Sequence, residues 1–185
     1  MTGFIVFLAI VLVLVLWLVG IFNSLVRLRN QVKNSWAQIA VQLKRRHDLI
    51  PNLVETVKGY MTHERGTLEA VVKARQQAVQ ISGNIADTAK VENVLSQTLK
   101  SLFAVTENYP ELKANQNFLA LQEEIASTEN KISFARQFYN DGVMGLNNKI
   151  QMFPSNIFAG MFSFKAEPYF ELEVPQEREA PKVQF

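Results

Sequence analysis

The sequence contains no cysteine and only two histidines, and its eight glycines are scattered singly along the chain. The lack of cysteine excludes a disulfide framework, a cysteine nucleophile and a lipid-modified cysteine. The scattered glycines exclude the GxxxxGK and GxGxxG loops that bind phosphates. A net charge of +2 is far below the basic excess of nucleic-acid-binding domains. We therefore expect no nucleic acid, no small-molecule substrate and no cofactor.

The few residues with catalytic or metal-binding potential do not form a known motif. His63-Glu64 begins like a zinc-protease sequence, but Thr67 stands where the second histidine is needed. His47-Asp48 is interpreted as a solvated or capping pair in a turn. Glu-x-x-His, the motif of di-iron bundles, does not occur. The sequence predicts neither an enzyme nor a metal site.

One long apolar run begins a few residues into the chain. Phe4 to Phe22 contains no charge and measures about 28 Å as a helix, close to the ~30 Å hydrocarbon thickness of a bilayer. The run has neither the basic flank nor the Ala-x-Ala cleavage site of a signal peptide, so we expect a retained transmembrane helix at 4–22 after a short N-terminus at 1–3. Its representative anchor residues are Phe4, Leu12, Trp17 and Phe22.

Basic residues dominate the stretch that follows the run. Residues 23–50 carry six Lys or Arg side chains against the single acidic residue Asp48. The positive-inside rule then places the N-terminus outside and the rest of the chain in the cytoplasm, in a single pass with membrane lipid as a partner. Long domains are translocated largely regardless of charge, which leaves the opposite topology as the alternative.

Residues 23–152 have the helical spacing of apolar residues throughout. The stripe that starts at Leu25 continues the transmembrane helix to Pro51, which is predicted to end or kink it. A second helix is predicted over 52–81, with a bend near Gly66, and a third with Asp87 as its N-cap. The fourth is predicted from Pro110 to about 152. Together they predict an all-α fold, an elongated, long antiparallel four-helix bundle of coiled-coil character.

The segment 153–185 is predicted to form a short helix and an extended acidic tail. Its aromatic side chains either fold back onto the bundle or form a surface for a neighbouring subunit, a client protein or the bilayer interface. The candidate interaction residues are Phe158, Phe162, Phe164, Tyr169 and Phe170.

The chain resembles the LemA family of bacterial membrane proteins along nearly its whole length. The matching stretches are NSLVRLRN (23–30), VQLKRRHDLIPNLVETVKGY (41–60), His63-Glu64, YPELKANQNFLALQEE (109–124), TEN (128–130), ARQFYND (135–141), FPSN (153–156) and PKVQF (181–185). The resemblance implies one N-terminal membrane helix carrying a long helical bundle in the bacterial inner membrane. A magnetosome-associated protein in the same family points to a role in organising membranes. No agreed catalytic residue can be carried over from the family.

One signature stretch has a physical interpretation beside the resemblance. The residues around Ile50 are predicted to form a polar corner that fixes the bundle, with a ligand site as the weaker alternative. Asn115 is a further predicted cap or bridge. The corner residues are Arg45, Arg46, Asp48, Pro51 and Asn52.

Two functional hypotheses follow from these features. The first is a non-enzymatic, membrane-anchored scaffold that forms a homo-oligomer and organises membranes or membrane-protein partners. The second is a regulatory adaptor of one membrane enzyme, for example in membrane-protein quality control. A scaffold captures mainly copies of itself, whereas an adaptor captures mainly one other protein.

Overall fold

The computed structural model describes residues 1–61, 63–81 and 83–171 and is all-helical within them, which confirms the predicted fold class. Most of the predicted acidic tail therefore lies outside the described residues. The helices are α1 (Thr2–Lys58), α2 (Arg65–Gln80), α3 (Ile85–Thr106), α4 (Pro110–Lys113), α5 (Gln116–Gln151) and α6 (Ser155–Met161). The short C-terminal helix predicted after residue 153 corresponds to α6.

Helix α1 continues without interruption from the apolar run and passes through Pro51 to Lys58. The prediction of one continuous helix is confirmed, and of the two alternatives predicted for Pro51, an end or a kink, the end is wrong. Proline has no amide hydrogen, so the carbonyl of His47, four residues earlier, lacks its helical donor. Arg75 Nε donates to this carbonyl oxygen at 2.7 Å. A side chain from α2 thus replaces the missing backbone hydrogen bond.

Helices α2 and α3 begin at different residues from those predicted. Residues 52–58 belong to α1, so α2 starts only at Arg65. Gly66 is the second residue of α2 and not a position in the interior of a longer helix, where the bend was predicted. The N-cap of α3 is Asn84, whose side-chain oxygen accepts from Ala86 N at 3.0 Å. The predicted cap, Asp87, lies in the first turn instead.

The predicted fourth helix is divided into α4 and α5. Pro110 does begin a helix, as predicted, but that helix has one turn and ends at Lys113. Asn115 then caps α5, because its side-chain oxygen accepts from the amides of Asn117 (2.9 Å) and Phe118 (3.1 Å). Its amide nitrogen also donates to the Tyr60 hydroxyl at 3.0 Å, so the predicted bridging role is confirmed.

The chain divides into two compact units, each described here by itself. Unit 1 consists of Met1–Ile39 and Phe134–Pro168, and unit 2 consists of Ala40–Ser133 with residues 169–171 of the described part. In unit 1, the Trp36 and Tyr139 rings are 5.8 Å apart, and a Cβ placed on Gly142 or Gly145 would contact Val32 or Leu28. In these contacts, residues later in α5 therefore meet residues earlier in α1.

Unit 2 has one apolar core to which all its helices contribute. Leu53 and Val57 of α1 meet Val71 of α2, Leu95 of α3 and Phe118 of α5 in this core, and all five are at most 1% exposed. Most of the residues at apolar helical spacing in this unit are buried or half-buried, whereas Tyr60, Val79 and Leu119 are 38%, 53% and 47% exposed.

Candidate functional site: a buried charge network

Arg46 lies at the centre of unit 2 with only 1% of its surface exposed. One terminal nitrogen, Nη2, donates to Glu92 of α3, and the other, Nη1, donates to Glu129 of α5. Nη1 also donates to the Ser96 hydroxyl at 2.8 Å. Arg46 Nε is buried without a hydrogen-bond partner among the residues that the structure describes. Arg46, in the interior of α1, thus binds both α3 and α5.

Glu92 is the second buried charge, with its side chain 3% exposed. Its other oxygen, Oε1, accepts from His47 Nε2 at 2.9 Å. Burial by itself raises the pKa of the Glu92 carboxyl. The hydrogen bond from His47 and the positive charge of Arg46 outweigh burial, so this pKa lies below its ordinary value of 4.5. Glu92 is therefore held as a carboxylate.

Two further contacts extend the network toward solvent. Ser96, which accepts from Arg46, donates from its hydroxyl to Glu129 Oε1 at 3.2 Å. Arg45 Nη2 donates to Glu124 Oε1 at 2.7 Å, with both side chains about half exposed. Glu124 and Glu129 of α5 thus both form interhelical ion pairs with α1.

The arrangement fixes the relative positions of four helices. Arg46 and His47 bind α3, Arg46 and Arg45 bind α5, and the His47 carbonyl accepts from Arg75 of α2. Removing one partner of a buried ion pair leaves an uncompensated charge, which costs far more than the intact pair contributes. Because any shift in helix register would create such a charge, the network selects one packing of unit 2.

The predicted corner residues lie inside α1 and not at a corner. Arg45 and Arg46 face α5 and α3, whereas Asp48 forms an exposed 3.3 Å ion pair with Lys44. Pro51 and Asn52 are exposed on the helix surface, and neither caps a helix end.

His47 is also placed differently from its prediction. It is not in a solvated turn with Asp48, because its side chain is 11% exposed and bonded to Glu92. The other histidine, His63, is exposed in the connection between α1 and α2, next to Glu64. No cluster of three metal-binding side chains occurs within the described residues.

Sequence reasoning missed Glu92, Ser96 and Arg75. For Glu92 a signal was present, because it continues the buried stripe of α3 four residues after Thr88 and three before Leu95. A carboxylate in an apolar stripe indicates a buried partner. Arg75 has a similar signal, because it lies four residues after the buried Val71, whereas Ser96 has none.

The predicted aromatic surface is only partly exposed. Phe164 and Phe170 are buried and Phe158 is half-buried, whereas Phe162 and Tyr169 are 51% and 40% exposed. In unit 1 the Phe22 ring contacts those of Phe162 and Phe164, with centroids 4.8 and 6.0 Å apart.

The other three predicted anchor residues differ from Phe22 in being exposed. Phe4, Leu12 and Trp17 are 69%, 59% and 51% exposed. The apolar end of α1 is long and apolar enough to cross a membrane, and almost none of it is buried. This is compatible with the predicted membrane anchor.

Within the described residues, the fold and the network define an all-helical protein in which the helix that begins with the apolar run also carries the buried ion pairs. The sequence model of the LemA family matches residues 35–185, and the chain belongs to this family. The family resemblance drawn from the sequence is confirmed.

Individual proteins are also similar to the chain. The chain is similar to Protein LemA of Metamycoplasma hominis, with 27% identity over 76% of this chain and 64% of the relative. It is also similar to the magnetosome proteins MamQ 1 and MamQ 2 of Paramagnetospirillum magneticum, with 20% identity over 81% of this chain and 64% of each relative. The chain thus spans about 64% of the length of each of these proteins.

Proposed function

We propose that this chain is a non-enzymatic, membrane-anchored scaffold that self-associates and organises membranes or membrane-protein partners. The observation that carries the proposal is the continuity of α1 in unit 1. The exposed apolar run and the packed stretch that ends at Ile39 are one helix, so the anchor is rigidly joined to a folded body. In unit 2 we interpret the helices α1, α2, α3 and α5 as an antiparallel four-helix bundle.

An exposed aromatic pair on α5 supports self-association. Phe134 and Phe138, one helical turn apart, are 73% and 49% exposed. Phe138 borders an open groove of about 570 Å³ along α1, which Asn30 and Asn34 also line. Tyr139, the residue after Phe138, contacts Trp36 of α1. Trp36 is about 20 Å along the helix from the end of the apolar run, so the Phe134–Phe138 pair is too far away to contact lipid. Exposed aromatic side chains of this kind typically bind protein.

Native size in mild detergent tests the scaffold. We expect the full chain to form an assembly larger than one copy, with closed symmetry, and the double variant Phe134→Ser/Phe138→Ser to form a smaller species. Val79→Ser on α2 is the matched control, because Val79 is similarly exposed at 53%. A monomer at every concentration of the unmodified chain would overturn the proposal.

The second candidate, an adaptor of one membrane enzyme, is favoured by a groove in unit 2. This groove has a volume of about 990 Å³ and lies between the end of α1 and α2. Val54, Met61 and Val72 line it, and Lys58 and Glu69 stand among the charged residues beside them. An apolar floor with charges of both signs fits an amphipathic segment of another protein.

Crosslinking in membranes separates the two candidates. A scaffold yields adducts mainly with itself and loses them in Phe134→Ser/Phe138→Ser. An adaptor yields mainly one heterologous adduct, which is lost when Val72→Glu places a charge in the unit 2 groove.

The names of the relatives agree with a role at membranes, since two of them are magnetosome proteins. We place the chain in the bacterial inner membrane as a single-pass protein with the bundle in the cytoplasm, because basic residues follow the apolar run. The cysteine-free sequence allows a direct test with Val79→Cys. In intact cells a membrane-impermeant maleimide should leave this cysteine unlabelled. Labelling would show that the bundle lies outside the cytoplasm.

A further inference from the structure

The end of unit 1 that carries α6 lies at the level where the apolar run of α1 ends. The contacts of α5 descend α1 from Trp36 through Val32 to Leu28, so the last turn of α5 arrives near Phe22. The ring contact between Phe22 and Phe162 confirms this level directly, with centroids 4.8 Å apart. The segment after α5 is therefore next to the last residue of the membrane-length run.

This segment has two distinct faces. Ser155 and Ala159, one turn apart in α6, are buried. On the other side of α6, Ile157 (54%) and Met161 (68%), four positions apart, are exposed, and Phe153 (79%) is exposed just before the helix begins. Met152 and Phe162 extend this surface at 62% and 51% exposure. So much exposed apolar surface on so short a segment indicates a non-aqueous neighbour.

The chain after α6 turns back to hold the segment in place. Ser163 adopts a left-handed backbone conformation with φ 56°, and Phe164 N donates to the Ala159 carbonyl at 2.8 Å. The buried Phe164 ring then contacts Phe22, and the Arg29 guanidinium lies 5.0 Å from its centroid. The exposed row is thus fixed relative to the end of the anchor.

The charges of unit 1 are complementary to an anionic membrane surface. Between Asp141 and Glu167 the only charged residues are Lys149 and Lys165, which flank α6 on both sides. Unit 1 as a whole has six basic residues (Arg27, Arg29, Lys33, Arg136, Lys149, Lys165) against the two acidic ones. An apolar face flanked by basic residues is typical of helices that lie in the headgroup region of anionic bilayers.

We propose that α6 and the turn before it form a second membrane contact, in which the exposed Phe153, Ile157 and Met161 (the α6 row) insert into the bilayer surface beside the anchor. The occupant of this face is lipid with anionic headgroups, because the face continues the apolar surface of α1 at its membrane end. The proposal rests on the membrane anchoring proposed above. With two contacts, the angle between unit 1 and the membrane is set by protein–lipid packing as well as by α1.

Depth-dependent quenching tests the α6 row in the full chain. Single-cysteine variants Ile157→Cys and Met161→Cys, labelled with an environment-sensitive fluorophore, are reconstituted in vesicles of phosphatidylcholine and phosphatidylglycerol with brominated acyl chains. Leu12→Cys reports the anchor, and Lys33→Cys is the exposed control in unit 1. We expect strong quenching at Leu12, Ile157 and Met161, and emission at Lys33 equal to that in unbrominated vesicles.

The failures of the two proposals are distinguishable. Quenching at Leu12 without quenching at Ile157 and Met161 would overturn the α6 contact while the anchor stands. No quenching at Leu12 would overturn the anchoring and the α6 contact together. The fluorophore at Met161→Cys could instead be shielded from water without being quenched by bromine, and could lose this shielding when the protein is diluted with lipid. This result would assign the face to a second copy of the chain and would also overturn the proposal.

Discussion

Arg46 and Glu92 form an ion pair in which the two side chains are only 1% and 3% exposed. The pair joins α1 to α3, and its surroundings satisfy each charge further, Glu92 through His47 and Arg46 through Glu129. Buried pairs of this kind contribute little net stability but make alternative packings costly. The network therefore explains how a domain of long, similar helices keeps one register.

Removing the buried carboxylate should be strongly destabilising. In Glu92→Gln the Arg46 charge keeps only the partly exposed Glu129, and we expect a loss of about 3–5 kcal/mol in the free energy of unfolding. Denaturant unfolding of the full chain in detergent, followed by circular dichroism, measures it. Asp48→Asn is the control, because its exposed pair with Lys44 should contribute less than about 1 kcal/mol. Equal effects of the two variants would contradict a structural role for the network.

Acid should weaken the fold through the same carboxyl. Because the pKa of Glu92 is lowered in the folded state, its contribution to stability is complete above its unfolded pKa, near 4.5, and is lost as pH falls through the folded value. Unfolding free energies measured across this range should decrease more steeply for the unmodified chain than for Glu92→Gln. Parallel profiles would show that Glu92 is not ionised in the native network.

Tyr139 should produce an alkaline transition in unit 1. Its hydroxyl donates to the Pro168 carbonyl at 2.8 Å, and burial together with the negative charge of Glu167 raises its pKa to about 12. Because the pKa is raised in the folded state, the protonated hydroxyl stabilises the fold fully below pH 10, the pKa of the unfolded chain. This stabilisation is lost as the pH rises toward 12. Phenolate absorbance during a pH titration monitors it, with Tyr139→Phe lacking the transition. Tyr60→Phe, at an exposed tyrosine, should retain it.

Two substitutions of one glycine should have opposite effects. Gly142 lies within α5, where a Cβ would be 3.5 Å from Val32 Cγ2, an ordinary contact. Gly142→Ala should therefore stabilise the chain by about 0.5–1 kcal/mol, because alanine favours the helix. Gly142→Leu should destabilise it by about 1–3 kcal/mol by overpacking against α1. Thermal unfolding of both variants checks the sign, and a Gly142→Leu variant as stable as Gly142→Ala would contradict the close pairing of α5 with α1.

The apolar pattern by itself determined much of this protein. The membrane-length run, the helical spacing after it and the absence of a breaker before Pro51 were sufficient to predict an all-α chain with a continuous first helix. These features are local, since they depend on residues within a few turns of one another. The LKRRHDLIPNLVETVKGY stretch was likewise sufficient for the family.

Only the tertiary structure decided what the polar residues do. Pro51 stops an isolated helix, but here Arg75, distant in sequence, supplies the missing donor to the His47 carbonyl. Arg46 continues the apolar stripe of α1 between Leu43 and Ile50, but the partners that allow its burial, Glu92 and Glu129, approach from two other helices. The exposed row of α6 gains its meaning only when Phe162 lies against Phe22. Such pairings join residues far apart in the chain, and single-sequence periodicity carries no information about them.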